Sequence, residues 1–397
     1  MKLRLVLACS SAVVSLGLCA TATPVLAAPA QATPSNVTVG CADTAALIAA
    51  VQQANANPDG GTIHLAKRCA YPFADDFADS GNALPAITGK VTIKGDDSTL
   101  IRTSGGTRFR LVQVSESGTL TLRGLTLTGG HVPGDGGGIL NLGGVLRVEE
   151  STVAGNRSEV SGGGIANLRG GRATLVNSSV QVNTVTQSTS TGAAGGGIIN
   201  ELSTLTLIRT TVSGNSADQN GGGIINVGTL DVKDSRIENN VARTGSGGGL
   251  YNGTEGNPSR AVIKDTEIVE NWAGLQGGGI QNNPSGTLEV YGGEIRLNKT
   301  GQDGGGLNNH GRATLSKTKV LKNQAADDGG GINNEPVLNS PAPVLTLKHA
   351  LVKENRAGDD GGGVNNVAPG VAVNDKSEIT RNRPTNCEGD VPNCNNH

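Results

Sequence analysis

The chain has 397 residues, a formal net charge of −2, 61 glycines, 15 prolines and seven aromatic residues. A charge so close to zero implies no basic surface for nucleic acid. Glycine and proline make up about a fifth of the chain, short of low-complexity disorder and far from collagen, which leaves an ordered, periodic fold.

Residues 1–30, "MKLRLVLACSSAVVSLGLCATATPVLAAPA", place Lys2 and Arg4 before an apolar run that ends in small residues. That is the layout of a secretory signal peptide, with cleavage expected near Ala27 to Ala30. Nothing later is long and apolar enough to span a bilayer, so the expected mature protein is secreted, extracellular or attached to the cell surface, without a membrane span. Loss of the leader leaves Cys41, Cys69, Cys387 and Cys394, an even number suited to an oxidising compartment. Their placement points to Cys41–Cys69 and Cys387–Cys394 bridges, one at each end, with a four-cysteine zinc site as the alternative.

Residues 31–90 read as an N-terminal cap. In "CADTAALIAAVQQANANPDGG" either Asp43 or Thr44 opens a short amphipathic helix with apolar Leu47, Ile48 and Val51, and "TIHLA" follows as a strand. Such a cap covers the strand edges that a stacked coil leaves bare.

From residue 91 to 383 the chain repeats. Glycine triplets begin at 136, 162, 195, 221, 247, 277, 304, 329 and 361, a minimum unit of about 25 residues with three insertions. Each triplet is followed by a branched apolar residue, a variable one and an asparagine. These asparagines are Asn141, Asn167, Asn200, Asn226, Asn252, Asn282, Asn309, Asn334 and Asn366. A second motif, Val or Ile three residues before an asparagine, gives Asn156, Asn183, Asn215, Asn240, Asn271, Asn298, Asn323, Asn355 and Asn382. Apolar residues five and seven positions before that Val or Ile alternate in twos, and Ser or Thr usually stands two before it. Such offsets describe short strands joined by sharp bends.

The unit therefore predicts an all-β fold, a parallel β-helix with about three strands per coil. Stacking at about 4.8 Å joins the Val, Ile and Leu positions into one core and makes a rod roughly 50 Å long. Each asparagine column becomes a ladder of side-chain amides, and the triplets become corners where the backbone passes close. "NCEGDVPNC", within 384–397, closes the far end.

The strings "GGG-[ILV]-x-N" and "[VI]-x-x-N" resemble the right-handed parallel β-helix repeats of the pectate-lyase-like superfamily, and are similar to the repeats of polymorphic outer-membrane proteins. The resemblance implies a right-handed coil. It covers lyases, glycoside hydrolases, adhesins and exported proteins without assigned activity. The Asn-Thr-Asp and Gly-His-Gly signatures of the hydrolase members are absent. The Asp-Asp pairs at 75/76, 96/97, 327/328 and 359/360 lack partners at the right coil offsets, and the five histidines are scattered.

Three features remain as candidate sites. Asp303, Asp328 and Asp360 precede the last three triplets, so stacking brings their carboxylates together. With Gln281, Asn308, Asn333 and Asn365 at the variable position, they form an oxygen-rich strip suited to Ca²⁺, although no cofactor is required. Tyr251, Trp272 and Tyr291 fall on adjacent coils as a candidate sugar-stacking patch. The insertions "GTEGNPSRA" and "EPVLNSPAP" leave the same corner three coils apart, where solenoids often carry a working face; the third, "TQSTSTGAA", follows Asn183. The expected function is a non-catalytic, monomeric interaction rod, with an extracellular polysaccharide or cell-surface glycan as partner. The alternative is a divergent polysaccharide lyase or hydrolase.

Overall fold

The structure, a computed structural model, describes residues 35–396 apart from 104, 187–194 and 255. The signal-peptide reading and most of the insertion after Asn183 lie outside the described residues.

The chain winds as a right-handed parallel β-helix. Apart from the strands at the two ends of each stack, the strands pair in parallel with the equivalent strand one coil before and one coil after, as Ile165–Leu168 does with Ile139–Leu142 and with Ile198–Ile208. We name the faces in chain order from the triplet. Face A follows the glycines, as in Ile280–Asn282; face B is the next strand, as in Gly286–Tyr291; face C carries the second motif, as in Glu294–Arg296. A fourth face, D, consists of two-residue strands from His131–Val132 to Gln324–Ala325, stacked as a separate eight-stranded sheet. Sequence periodicity predicts three strands and misses the fourth, because two residues are too few for alternation to register.

The interior is the predicted one. Ile280, Leu288, Val290 and Ile295 fill one coil, and their equivalents in other coils join them in a single buried core. The bends differ in kind. Between faces B and C, and between C and D, the turning residue takes positive φ and is in most coils not glycine, as at Asp265 (φ 45°), Lys317 (φ 54°) and Arg381 (φ 57°). The triplets serve the corner into face A. At Gly277 φ is +64°, and a Cβ on Gly278 would lie 2.3 Å from the Lys299 carbonyl oxygen. Gly278→Ala is therefore expected to destabilise by about 1–3 kcal/mol, read as a lowered denaturant midpoint.

Both asparagine columns are complete ladders. On the first, each Nδ2 donates to the Oδ1 of the next coil, for example Asn141 to Asn167 at 2.7 Å and Asn334 to Asn366 at 2.7 Å. On the second, at the C–D bend, each Oδ1 accepts both the backbone N–H and the Nδ2 of the coil before. Asn271 Oδ1 takes the two donors of Asn240 at 3.0 Å each. Hydroxyls add a shorter ladder, Ser235 Oγ accepting the Thr210 N–H at 3.0 Å and Thr266 Oγ1 accepting the Ser235 N–H at 3.2 Å. A buried polar group is tolerated only when bonded, and stacking gives each amide its partner.

The ends complete these ladders unequally. At the N-terminal side, helix Thr44–Ala56 is capped by Asp43, whose Oδ1 accepts the Ala46 N–H at 2.9 Å, and it buries Leu47, Ala50, Val51 and Ala54. Cys41–Cys69 ties it down. Val114 occupies the first-ladder position one coil before Asn141 and offers no donor, so Asn141 Oδ1 is buried without a partner. At the C-terminal side, Asn366 Nδ2 donates to the Asp390 carbonyl at 2.8 Å, and Asn386 Oδ1 accepts the Asn382 N–H at 3.0 Å. Asp390 lies inside the loop closed by Cys387–Cys394, and Asn386 immediately precedes it. We expect Cys387→Ser/Cys394→Ser to cost about 2 kcal/mol by releasing this loop, with amide exchange rising first at Val364–Asn366 and Asn382.

Candidate functional site

On face A the residue between the inward apolar one and the ladder asparagine points away from the lumen. Along the early coils this outward column is apolar: Leu140, Ala166, Ile199 and Ile225 pack with Leu168 and Val227. From Gln281 onward it turns to amides, and these form a third ladder. Asn365 Nδ2 donates to Asn333 Oδ1 at 3.0 Å, Asn333 to Asn308 at 2.9 Å, and Asn308 to Gln281 Oε1 at 3.1 Å. The outer amides donate toward the N-terminus, whereas Asn309 Nδ2, directly inside them, donates toward the C-terminus, to Asn334.

The outer ladder meets a cluster of acid–base groups. The second hydrogen of the Asn308 amide points at His310 Nε2, 2.9 Å away. Nδ1 of the same ring lies 3.0 Å from the Glu335 carbonyl oxygen, which can only accept. Nδ1 is therefore the protonated nitrogen, and Nε2 keeps its lone pair. Gln276 completes the group. Its Nε2 donates to Asp303 Oδ2 and to Glu335 Oε1, 3.1 Å each, and its Oε1 stands 3.3 Å from His310 Nε2. Glu335 Oε1 is itself 3.9 Å from that nitrogen.

Three adjacent coils thus bring together two carboxylates, one imidazole and the amide that bridges them. His310 is buried and Glu335 half-buried, so the glutamate is the group that reaches solvent. Burial pushes the Glu335 carboxyl up, and the Asp303 carboxylate adds to the rise. A carboxyl shifted up by burial beside a basic nitrogen suits proton transfer to and from a substrate.

Glu335 opens one of two loops that wall a cavity whose lining includes none of the four clustered side chains. The insertion after Asn252 and the one after Asn334 flank the short turns at Pro284 and Gly311. Between them lies a cavity of about 530 Å³ lined by Gly256, Pro284, Ser285, Leu338, Asn339, Ser340 and Pro341. Leu338, 87% exposed, stands at its rim.

The acidic column is brought together as predicted, and its oxygens are engaged. Asp303 Oδ1 accepts the Asp328 N–H at 3.1 Å, and Asp328 Oδ1 accepts the Asp360 N–H at 2.8 Å. Burial raises the Asp328 carboxyl; the Asp360 N–H lowers it, and the charges of Asp303, Asp360 and Asp359 raise it further. Among the described residues, no three His, Cys, Asp or Glu side chains are arranged to hold a metal ion. The three aromatics, by contrast, are not brought together. Tyr251 points outward on face A, Trp272 lies on face D and Tyr291 on face B, where its hydroxyl donates to Glu289 at 2.8 Å. Adjacent coils do not imply a shared face, because Trp272 stands one residue past a ladder asparagine and Tyr291 four residues before the apolar position of the second motif.

Sequence reasoning misses His310, Gln276 and Glu335 as a group. A signal was present in the register: the positions after the triplet's apolar residue and after its asparagine both turn polar over the coils that begin at 277, 304 and 329, where the position before the triplet is Gln276, Asp303 and Asp328.

The fold and this outward face define a right-handed parallel β-helix protein of pectate-lyase-like architecture. No protein-family model matches the chain, and no curated protein sequence does. Among solved structures it is similar to the A-module of the mannuronan C-5 epimerase AlgE6 of Azotobacter vinelandii, at 16% identity and a TM-score of 0.56, over 91% of this chain and 95% of that one. Pectate lyase Pel9A aligns at 12% identity and a TM-score of 0.46, over 88% of this chain and 80% of that one. The likeness to the epimerase is one of fold.

Proposed function

We propose that this protein is exported and acts on an extracellular polysaccharide, laying an extended chain along face A and performing acid–base chemistry at Glu335. His310 is the proton partner of that glutamate, and Gln276 and Asp303 hold the two in place. One observation carries the reading. In a solenoid whose other buried polar residues repeat as ladders, these four side chains converge on three adjacent coils beside a loop-walled cavity. Regular ladders alone would favour an interaction rod; a convergence of acid and base groups favours an enzyme.

Three further facts support it. Among the described residues no helix is long and apolar enough to cross a membrane. The two disulfides suit an oxidising compartment. The epimerase similar in fold is named for its action on mannuronan, a polysaccharide.

The test is a panel of neutral, amino and anionic polysaccharides assayed for new reducing ends, for the ultraviolet absorbance of an unsaturated product and for epimerised residues by proton NMR. Product from at least one polymer is expected. Binding without any product would return the protein to the class of glycan-binding rods, and neither binding nor product would reject the reading altogether.

A further inference from the structure

The charge around the proposed site limits what can lie in it. Face A and the loops leading into and out of it comprise residues 273–286, 300–311, 325–343 and 357–370 over the last four triplet coils, and these stretches contain no lysine or arginine. They contain Asp303, Asp327, Asp328, Glu335, Asp359 and Asp360, all exposed or half-buried. The cations of these coils lie outside those stretches, among them Lys299, Arg356 and Arg383 in one column on face D, Arg312 at the start of face B, and Arg296 and Lys319 in ion pairs on face C with Glu294. The basic residues that do adjoin face A, Arg110 and Arg169, lie on its early coils.

A polyuronate presents a carboxylate on every residue. Laid along this strip it would meet like charges at the coil spacing, with no lysine or arginine in these stretches to answer them, and such juxtaposition disfavours binding. The neighbouring cavity, lined by glycine, proline, serine, asparagine and leucine, offers no positive charge either. What the strip does offer is acceptors: the carboxylates, the Gln276 and Asn365 amide oxygens and loop carbonyls. Hydroxyl and ammonium groups are the donors that match them.

We propose that the substrate of this site is a non-anionic polysaccharide, a neutral hexose or pentose polymer or one bearing free amino sugars, and that polyuronates are excluded. This rests on the functional reading above and sets the chain apart in substrate from the mannuronan epimerase it resembles in fold.

The experiment titrates the full mature chain with hexamers of three kinds: glucosamine oligomers, neutral gluco- and xylo-oligosaccharides, and mannuronate or galacturonate oligomers, each at low and at high salt. The expected result is binding of an amino or neutral hexamer at least about tenfold tighter than any uronate, with salt weakening the amino hexamer and leaving a neutral one unchanged. Asp327→Asn/Asp328→Asn/Asp359→Asn/Asp360→Asn, its fold checked by its circular dichroism, should narrow the discrimination against uronates. Tightest binding of a uronate by the wild type would overturn the substrate class while leaving the functional reading intact. Failure of every hexamer to bind would overturn both.

Discussion

Asn271→Ala should destabilise the protein by about 3 kcal/mol or more. Its Oδ1 is the acceptor for the backbone N–H and the side-chain amide of Asn240, and its Nδ2 bonds to the Ile237 carbonyl at 3.0 Å and to Asn298 at 2.9 Å. Truncation leaves the buried Asn240 N–H with no acceptor, and removes a rung that neighbours on both sides use. Asn271→Asp should be at least as harmful despite its matching shape. It keeps the acceptor, but turns an oxygen toward the Ile237 carbonyl and Asn298 Oδ1 and places a charge in the interior. Asn239→Asp, one residue before Asn240 on the exposed bend, serves as the control, with an expected change within about 0.5 kcal/mol. Chemical denaturation of the three variants reads the difference; equal, small effects would mean that the ladder is decoration on a core that stands without it.

Glu335→Gln is expected to reduce turnover by about 10²- to 10⁴-fold while leaving the fold intact. Glutamine preserves the oxygen that accepts from Gln276 and removes only the proton. The stability profile provides a second readout. Folding raises the carboxyl above its ordinary value, chiefly through burial, so the folded protein holds this proton more tightly than the unfolded chain. Its contribution to stability is present below the unfolded glutamate value and is lost as pH rises through the raised folded value. In Glu335→Gln that component of the slope should vanish, and the variant should be no less stable than wild type at neutral pH. In the wild type the rate should fall over the same window, as the proton donor ionises. Full activity in Glu335→Gln would move the chemistry to another group.

The fold is legible in the sequence because a solenoid writes its three-dimensional neighbours at a fixed interval. Asn141 and Asn167 touch because they are one coil apart, and the same arithmetic correctly places Val153 on Val180 and Leu146 on Ala173. The site is less legible. His310 is one of five scattered histidines when read along the chain, and Glu335 is the first residue of an insertion. Only stacking shows that Gln276, two coils before Glu335, reaches both it and Asp303. Non-glycine residues at positive φ, such as Asp265 and Lys317, carry no sequence mark, since the bend is imposed by the core on either side. The aromatic patch was counted by coil number without face: Trp272 and Tyr291 lie on different faces of neighbouring coils.

The most direct measurement is amide hydrogen exchange of the mature protein with and without a hexasaccharide that binds or is turned over, using Glu335→Gln to hold the complex. Protection concentrated in residues 273–286, 300–311 and 325–343 is the predicted result, since those segments build the outward side of face A and its loops. Protection confined to faces B, C or D, or to the early apolar coils, would contradict the assignment of the site.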